Sequence, residues 1–110
     1  MLTTNNNYRE ILKQAKEFKA RNIIINNKKH YLTSKKKLRN NKINIFNNFQ
    51  SFNNKFKSKI DFSMSAISGL EGLKPTLDLI KHSKTIAIAN KESIICAWNL
   101  IQQRLKKYKT

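Results

Sequence analysis

The sequence predicts an α/β fold, a parallel sheet with helices on both faces, on three observations. Short β-branched runs, Asn22-Ile23-Ile24-Ile25 and Thr85-Ile86-Ala87-Ile88-Ala89, read as buried strands. Segments with apolar residues at helical spacing lie between and after them. The two kinds alternate along all 110 residues, without an internal repeat, a proline-rich linker or a long structureless stretch. Strands alternating with helices pair in parallel, because each crossover helix returns the chain to the same edge of the sheet.

Each element follows from its residues. Leu2-Thr3 reads as the tail of a strand. Tyr8, Ile11, Leu12, Ala15 and Phe18 share a helical face, which predicts a helix over 8–20. Asn7, three residues before Glu10, resembles a capping box with Asn in place of Ser or Thr. The Ile23–Ile25 run is the next strand. A weaker helix over 29–39 carries Tyr31, Leu32 and Leu38 among many lysines, and Ile43-Asn44-Ile45-Phe46 alternates like a short strand. Phe49, Phe52 and Phe56 mark one face of a short helix. Phe62-Ser63-Met64-Ser65-Ala66-Ile67 predicts a strand, and Gly69 and Gly72 flank a turn. Pro75 suits a first helical turn, where its missing N–H costs nothing. That helix runs to about Lys81, and the strand over 85–89 follows. Ile94, Ile95, Trp98, Ile101 and Leu105 then define a closing helix over 91–107, with Trp98 and the Cys96 thiol expected in the core.

Composition excludes several classes. One Cys and two His, His30 and His82, cannot assemble a Cys/His zinc site or an internal disulfide. No run approaches the apolar length of a membrane span, and the first residues lack the pattern of a signal peptide. Two glycines are too few for a G-x-G-x-x-G phosphate loop. The net charge of +17 lies mostly in residues 1–60, with 15 basic and 2 acidic side chains. Lys, Asn and Ile supply 48 of the 110 residues, and all three have AT-rich codons. A strongly biased genome writing Lys and Asn onto the surface accounts for this. The resulting field would still attract polyanions weakly, in a salt-dependent way.

The stretch with most chemistry is Ala89-Asn90-Lys91-Glu92-Ser93, where an apolar strand gives way to a helix. Ligands of open parallel sheets bind outside the carboxyl ends of the strands. Lys91 at a helix N-terminus opposes the helix dipole, and an anionic partner would remove that conflict. A purely structural role is open as well: Asn90 or Ser93 as N-cap, Glu92 as first-turn acid.

Met64-Ser65-Ala66-Ile67-Ser68-Gly69-Leu70-Glu71-Gly72-Leu73-Lys74-Pro75-Thr76-Leu77 is followed by Lys84-Thr85-Ile86-Ala87-Ile88-Ala89-Asn90-Lys91-Glu92-Ser93. Together these blocks closely resemble the 1-deoxy-D-xylulose 5-phosphate reductoisomerase family. That family reads A-I-x-G-x-x-G-L-x-P-T-L and, about a dozen residues on, K-T-I-x-x-A-N-K-E-S. The resemblance is strong over 62–98 and looser before. It implies that residues 1–110 are part of a Rossmann-like NADP-binding domain, starting after the family's first strand and its G-x-T-G-S-I-G loop. The metal-binding D-S-E segment and the catalytic and C-terminal domains would lie beyond Thr110.

The resemblance further implies conversion of 1-deoxy-D-xylulose 5-phosphate to 2-C-methyl-D-erythritol 4-phosphate in non-mevalonate isoprenoid synthesis. NADPH and a divalent metal, Mn or Mg, would serve a cytoplasmic homodimer. By position, Asn90 and Glu92 would contact NADPH and Lys91 the sugar phosphate. Asn7 matches a cofactor-contacting Asn, while Asn5 and Asn6 stand where the family commonly has Gly and Lys. No catalytic residue or metal ligand is assigned within these 110 residues, and the chain alone is expected to be inactive. Two alternatives stay open, a small basic protein binding nucleic acid without sequence preference and a non-functional remnant.

Overall fold

A computed structural model of the chain describes residues 1–38, 42–55 and 58–110, without the side chains of Phe52, Asn53 and Lys55. The chain forms two compact units, Met1–Lys57 and Ser58–Thr110. The first holds β1 (Leu2–Thr4), α1 (Tyr8–Glu17), β2 (Asn22–Ile25), α2 (Lys28–Lys37), β3 (Asn44–Phe46) and α3 (Phe49–Lys55). The second holds β4 (Ile60–Ser65), a 3₁₀ turn at Leu70–Gly72, α4 (Leu73–Ile80), β5 (Ser83–Ile88) and α5 (Lys91–Tyr108).

Every strand pair is parallel, as the alternation of strands and helices requires. The first unit has the order β1-β2-β3, with Leu2 opposite Ile23 and Ile23 opposite Ile45. Leu2–Thr4 is therefore a paired strand of this sheet. The second unit pairs β4 with β5, Ser63 opposite Ile86. The first unit thus holds a three-stranded parallel sheet and the second a two-stranded one.

In the first unit, Ile11, Ala15, Ile23, Ile25 and Leu38 form the buried cluster, with Leu2, Leu12, Tyr31 and Ile45 packed against it. All three isoleucines of β2 are fully buried. Ile23 and Ile25 face this cluster, and alternation along the strand turns Ile24 to the other side. Each fully buried isoleucine contributes about 1.5–3 kcal/mol relative to exposure. Phe18 is exposed because α1 ends before it; it is the C-cap, its N–H bonded to the Gln14 carbonyl. The face expected of Phe49, Phe52 and Phe56 lies largely outside the described residues.

The second unit packs helix on sheet through small hydroxyls. Thr76 Oγ1 lies 2.6 Å from Ser65 Oγ and donates to the Gly72 carbonyl at 2.7 Å. Ser83 Oγ lies 2.8 Å from both Ser63 Oγ and the Leu79 carbonyl. These hydrogen bonds satisfy groups that would otherwise be buried without partners. Leu79, Ile80 and Ile101 supply the buried apolar mass.

The burial expected of β5 and of the first half of α5 is corrected here, and β4 shows an exposed face of its own. Phe62 and Met64 are 63% exposed, so β4 presents one bare face. Residues of β5 are at most half-buried apart from Ser83. On α5, Ile95 is 78% and Trp98 46% exposed, and Cys96 is exposed rather than buried. The cause is geometric. At Ala97 (φ −143°, ψ 29°) the helix is kinked, so residues before and after it do not share one continuous stripe.

Candidate functional site

In parallel β–α units all strand-to-helix loops emerge at the carboxyl edge. In the first unit these loops are built of asparagine. Asn7 Oδ1 accepts from the Glu10 amide at 3.4 Å, Asn27 Oδ1 from His30 at 3.2 Å, and Asn48 Oδ1 from Ser51 at 2.7 Å. Each side chain satisfies one of the amides a helix start leaves free. The capping box at α1 is half formed, since Glu10 accepts from Gln14 Nε2 at 3.2 Å instead of reaching back.

Neighbouring asparagines tie the loops to one another. Asn27 Nδ2 donates to Asn6 Oδ1 at 3.0 Å, and Asn47 Nδ2 to the Ile25 and Asn26 carbonyls at 3.0 Å each. Codon bias accounts for the abundance of Asn but not for its use as a cap. The signal was available in sequence as short asparagine runs, Asn5-Asn6-Asn7, Asn26-Asn27 and Asn47-Asn48, each straight after a β-branched or apolar run. Asn5, Asn6 and Asn7 are all exposed at this edge.

An aromatic and cationic cluster sits directly behind the Asn5–Asn7 loop. The Tyr8 and His30 rings stack at 4.8 Å and 21°. Arg9 and Lys37 lie 5.9 and 5.7 Å from the Tyr8 centroid. A hydrogen bond from Arg9, together with the charges of Arg9 and Lys37, holds the Tyr8 phenol below its ordinary value. No role for His30 is legible in the sequence; the contact appears only when α1 and α2 lie side by side.

At the carboxyl edge of the second unit, Asn90 is 3% exposed and fully engaged. Its Nδ2 donates to the Gly69 carbonyl at 2.8 Å and to the Ile67 carbonyl, while Oδ1 accepts from the Ser93 amide at 2.5 Å. Asn90 therefore caps α5 and clamps the loop after β4 in the same stroke. Its amide group is committed to these contacts within the protein. Gly69 has φ +74°, a conformation that favours glycine. Gly72 is required for space: a Cβ there would lie 2.4 Å from the Ile67 carbonyl and 2.7 Å from Asn90 Nδ2.

Lys91 is the first residue of α5 and exposed, Glu92 is half-buried, and Ser93 is buried. Lys91 and Gly69 thus share one edge, with Lys91 facing solvent as its position predicts. Ser93 Oγ and His82 Nε2 are buried without a hydrogen-bond partner. Burial, then the Lys81 charge, lowers the His82 pKa from 6.5 against a weaker opposing effect of Asp78. Among the described residues no three His, Cys, Asp or Glu side chains are grouped to hold a metal.

Parallel β–α units whose strand-to-helix loops gather at the carboxyl edge define the open α/β class, in which ligands bind at that edge. The model of the 1-deoxy-D-xylulose 5-phosphate reductoisomerase family matches residues 1–98. The chain belongs to that family. It is 57% identical over 112 residues to the 1-deoxy-D-xylulose 5-phosphate reductoisomerase of Pelagibacter ubique, covering 100% of this chain and 29% of that protein. The Bacteroides fragilis enzyme is 33% identical over 99% of this chain and 28% of its own length. Among solved structures, the Zymomonas mobilis enzyme in complex with NADPH superposes with a TM-score of 0.84 at 29% identity, over 100% of this chain and 29% of that one. A reductoisomerase in complex with NADPH, fosmidomycin and magnesium gives 0.81 at 26% identity, over 96% and 26%. The chain spans under a third of the length of these relatives.

Proposed function

We propose that these residues serve an NADPH- and divalent-metal-dependent enzyme that converts 1-deoxy-D-xylulose 5-phosphate to 2-C-methyl-D-erythritol 4-phosphate. The observation that carries the proposal is Lys91. An exposed cation stands at the start of α5, against the helix dipole, on a backbone fixed by the Asn90 clamp. A sugar phosphate relieves that conflict, so Lys91 is its binding residue. Glu92 and the exposed Asn5, Asn6 and Asn7 are the cofactor contacts. Asn90 contributes through its main chain while its side chain holds Lys91 in place.

The residues fit a nicotinamide dinucleotide, with open polar loops at the carboxyl edges and no bulky side chain at Gly69 or Gly72. NADPH supplies the hydride when bound; the residues named here bind and orient. Among the described residues no side chains are grouped to hold the metal, so no step is routed through it. Residues 1–110 form part of an NADP-binding domain, and the 110-residue polypeptide alone is not expected to turn over. The same proposal includes a homodimer and a cytoplasmic location. No described helix is long and apolar enough to cross a membrane.

Amide spectra of the labelled chain during titration with 1-deoxy-D-xylulose 5-phosphate, and separately with NADPH, test this. The sugar phosphate should shift Lys91 and its neighbours, and Lys91→Ala should abolish the effect. NADPH should shift Glu92 and Asn5–Asn7. Shifts that persist unchanged in Lys91→Ala, or that avoid these residues, would overturn the assignment. Metal-dependent NADPH oxidation by the purified polypeptide would overturn the expected inactivity.

A further inference from the structure

We propose that Asn27 is a positioning residue: from the loop after β2, its side chain holds Asn6 and so orders Asn5–Asn7 before a cofactor binds. The inference rests on the proposed NADPH contacts of Asn5, Asn6 and Asn7 and deepens that reading.

Asn5, Asn6 and Asn7 are exposed and follow a strand only three residues long. Such a segment buries no apolar surface that would order it, and ordering it at the moment of binding costs conformational entropy. Within the segment, the Asn6 carbonyl accepts from the Tyr8 amide at 2.8 Å and Asn7 caps α1. Neither contact fixes the Asn6 side chain.

Asn27, which is half-buried, does so. Its main-chain N–H donates to the Asn5 carbonyl at 3.3 Å, and its Nδ2 to Asn6 Oδ1 at 3.0 Å. Its own Oδ1 accepts from the His30 amide at 3.2 Å. That cap decides which end of the Asn27 amide faces Asn6. One residue earlier, the Asn26 N–H donates to the Thr4 carbonyl at 3.0 Å, so the ladder between β1 and β2 runs on into both loops. Asn47 in turn holds the Ile25 and Asn26 carbonyls. Support thus passes from the third loop to the second and from the second to the first. A lysine at position 6, common in the family, has no acceptor for the Asn27 amide, whereas Asn6 supplies one. Asn90 grips main-chain carbonyls, but Asn27 grips a side chain, so its effect on a ligand must pass through Asn6.

The test uses the labelled 110-residue chain, first without ligand. Serine caps a helix as well as asparagine but is too short to reach Asn6. Asn27→Ser should keep exchange of the His30 and Tyr31 amides within about twofold of wild type and lower the order parameters of Asn5 and Asn6. NADPH should then bind roughly 2- to 12-fold more weakly, the equivalent of one lost hydrogen bond. In an Asn6→Ala background, Asn27→Ser should cause no further loss. Asn22→Ala removes a bond of the same kind, 2.9 Å to Asn44, at the other end of β2, and should leave NADPH binding unchanged. An unchanged loop in Asn27→Ser, an equal loss in Asn22→Ala, or a loss that persists beside Asn6→Ala would overturn the proposal. The two levels separate. If NADPH binds wild type and Asn27→Ser equally, the cofactor reading stands and the positioning role falls. If Asn27→Ser loosens the loop while NADPH does not bind wild type, the clamp stands and the cofactor reading falls.

Discussion

Asn90→Asp separates a helix cap from a clamp. Asp is as good an N-cap as Asn, and its charge suits a helix start. If Asn90 did no more than cap α5, the substitution would be neutral or slightly stabilising. The structure predicts otherwise. Asn90 Nδ2 donates to two carbonyls, of Gly69 and Ile67, at a position only 3% exposed. Asp has no donor and sets a carboxylate against both carbonyl oxygens. Two lost hydrogen bonds at about 0.5–1.5 kcal/mol each give a cost of about 1–3 kcal/mol, before any repulsion is added. Asn90→Ala loses the cap as well, about 1 kcal/mol more. Because the chain forms two compact units, one global midpoint is a poor measure, and local amide exchange is the better assay. The amides at the start of α5 should exchange roughly 5- to 150-fold faster in Asn90→Asp, the rate equivalent of 1–3 kcal/mol. Protection within about twofold of wild type would refute the clamp and leave only the cap.

Gly72→Ala should destabilise the same loop by about 1–3 kcal/mol, since the added methyl meets a backbone carbonyl that cannot swing aside; urea unfolding followed at Trp98 checks it. Lys91→Glu should raise the stability of α5 by about 0.3–1 kcal/mol while removing sugar-phosphate binding, measured by exchange and titration on one sample. His82 has a lowered pKa in the fold, so the unfolded chain takes up its proton first. Stability should be full above the unfolded value of 6.5 and decline as pH falls from there through the folded value, and His82→Gln should flatten that decline in urea titrations at successive pH values. Cys96, being exposed, should react with a thiol reagent in the native state at nearly the rate of the unfolded chain.

The sequence by itself determined the α/β alternation, the parallel sense of the strands and the position of Lys91. These follow from short-range rules: β-branched runs make strands, helical spacing makes helices, and a crossover helix returns the chain in the same direction. It also determined the family, through two blocks whose residues and separation are legible in one dimension. Tertiary structure decided what those residues touch. Ile94, Ile95 and Trp98 read as a core stripe, but α5 is kinked at Ala97 and Ile95 and Trp98 are exposed, because burial depends on what lies opposite and not on periodicity. Asn90 read as either a ligand contact or a cap. That it also grips two carbonyls, 21 and 23 residues earlier in the chain, required the loop after β4 to be folded against it. The Tyr8–His30 stack with its two cations spans two helices separated in sequence by a strand. Contacts of that kind have no one-dimensional signature, since their energy comes from groups the chain brings together only after both helices have packed on the same sheet.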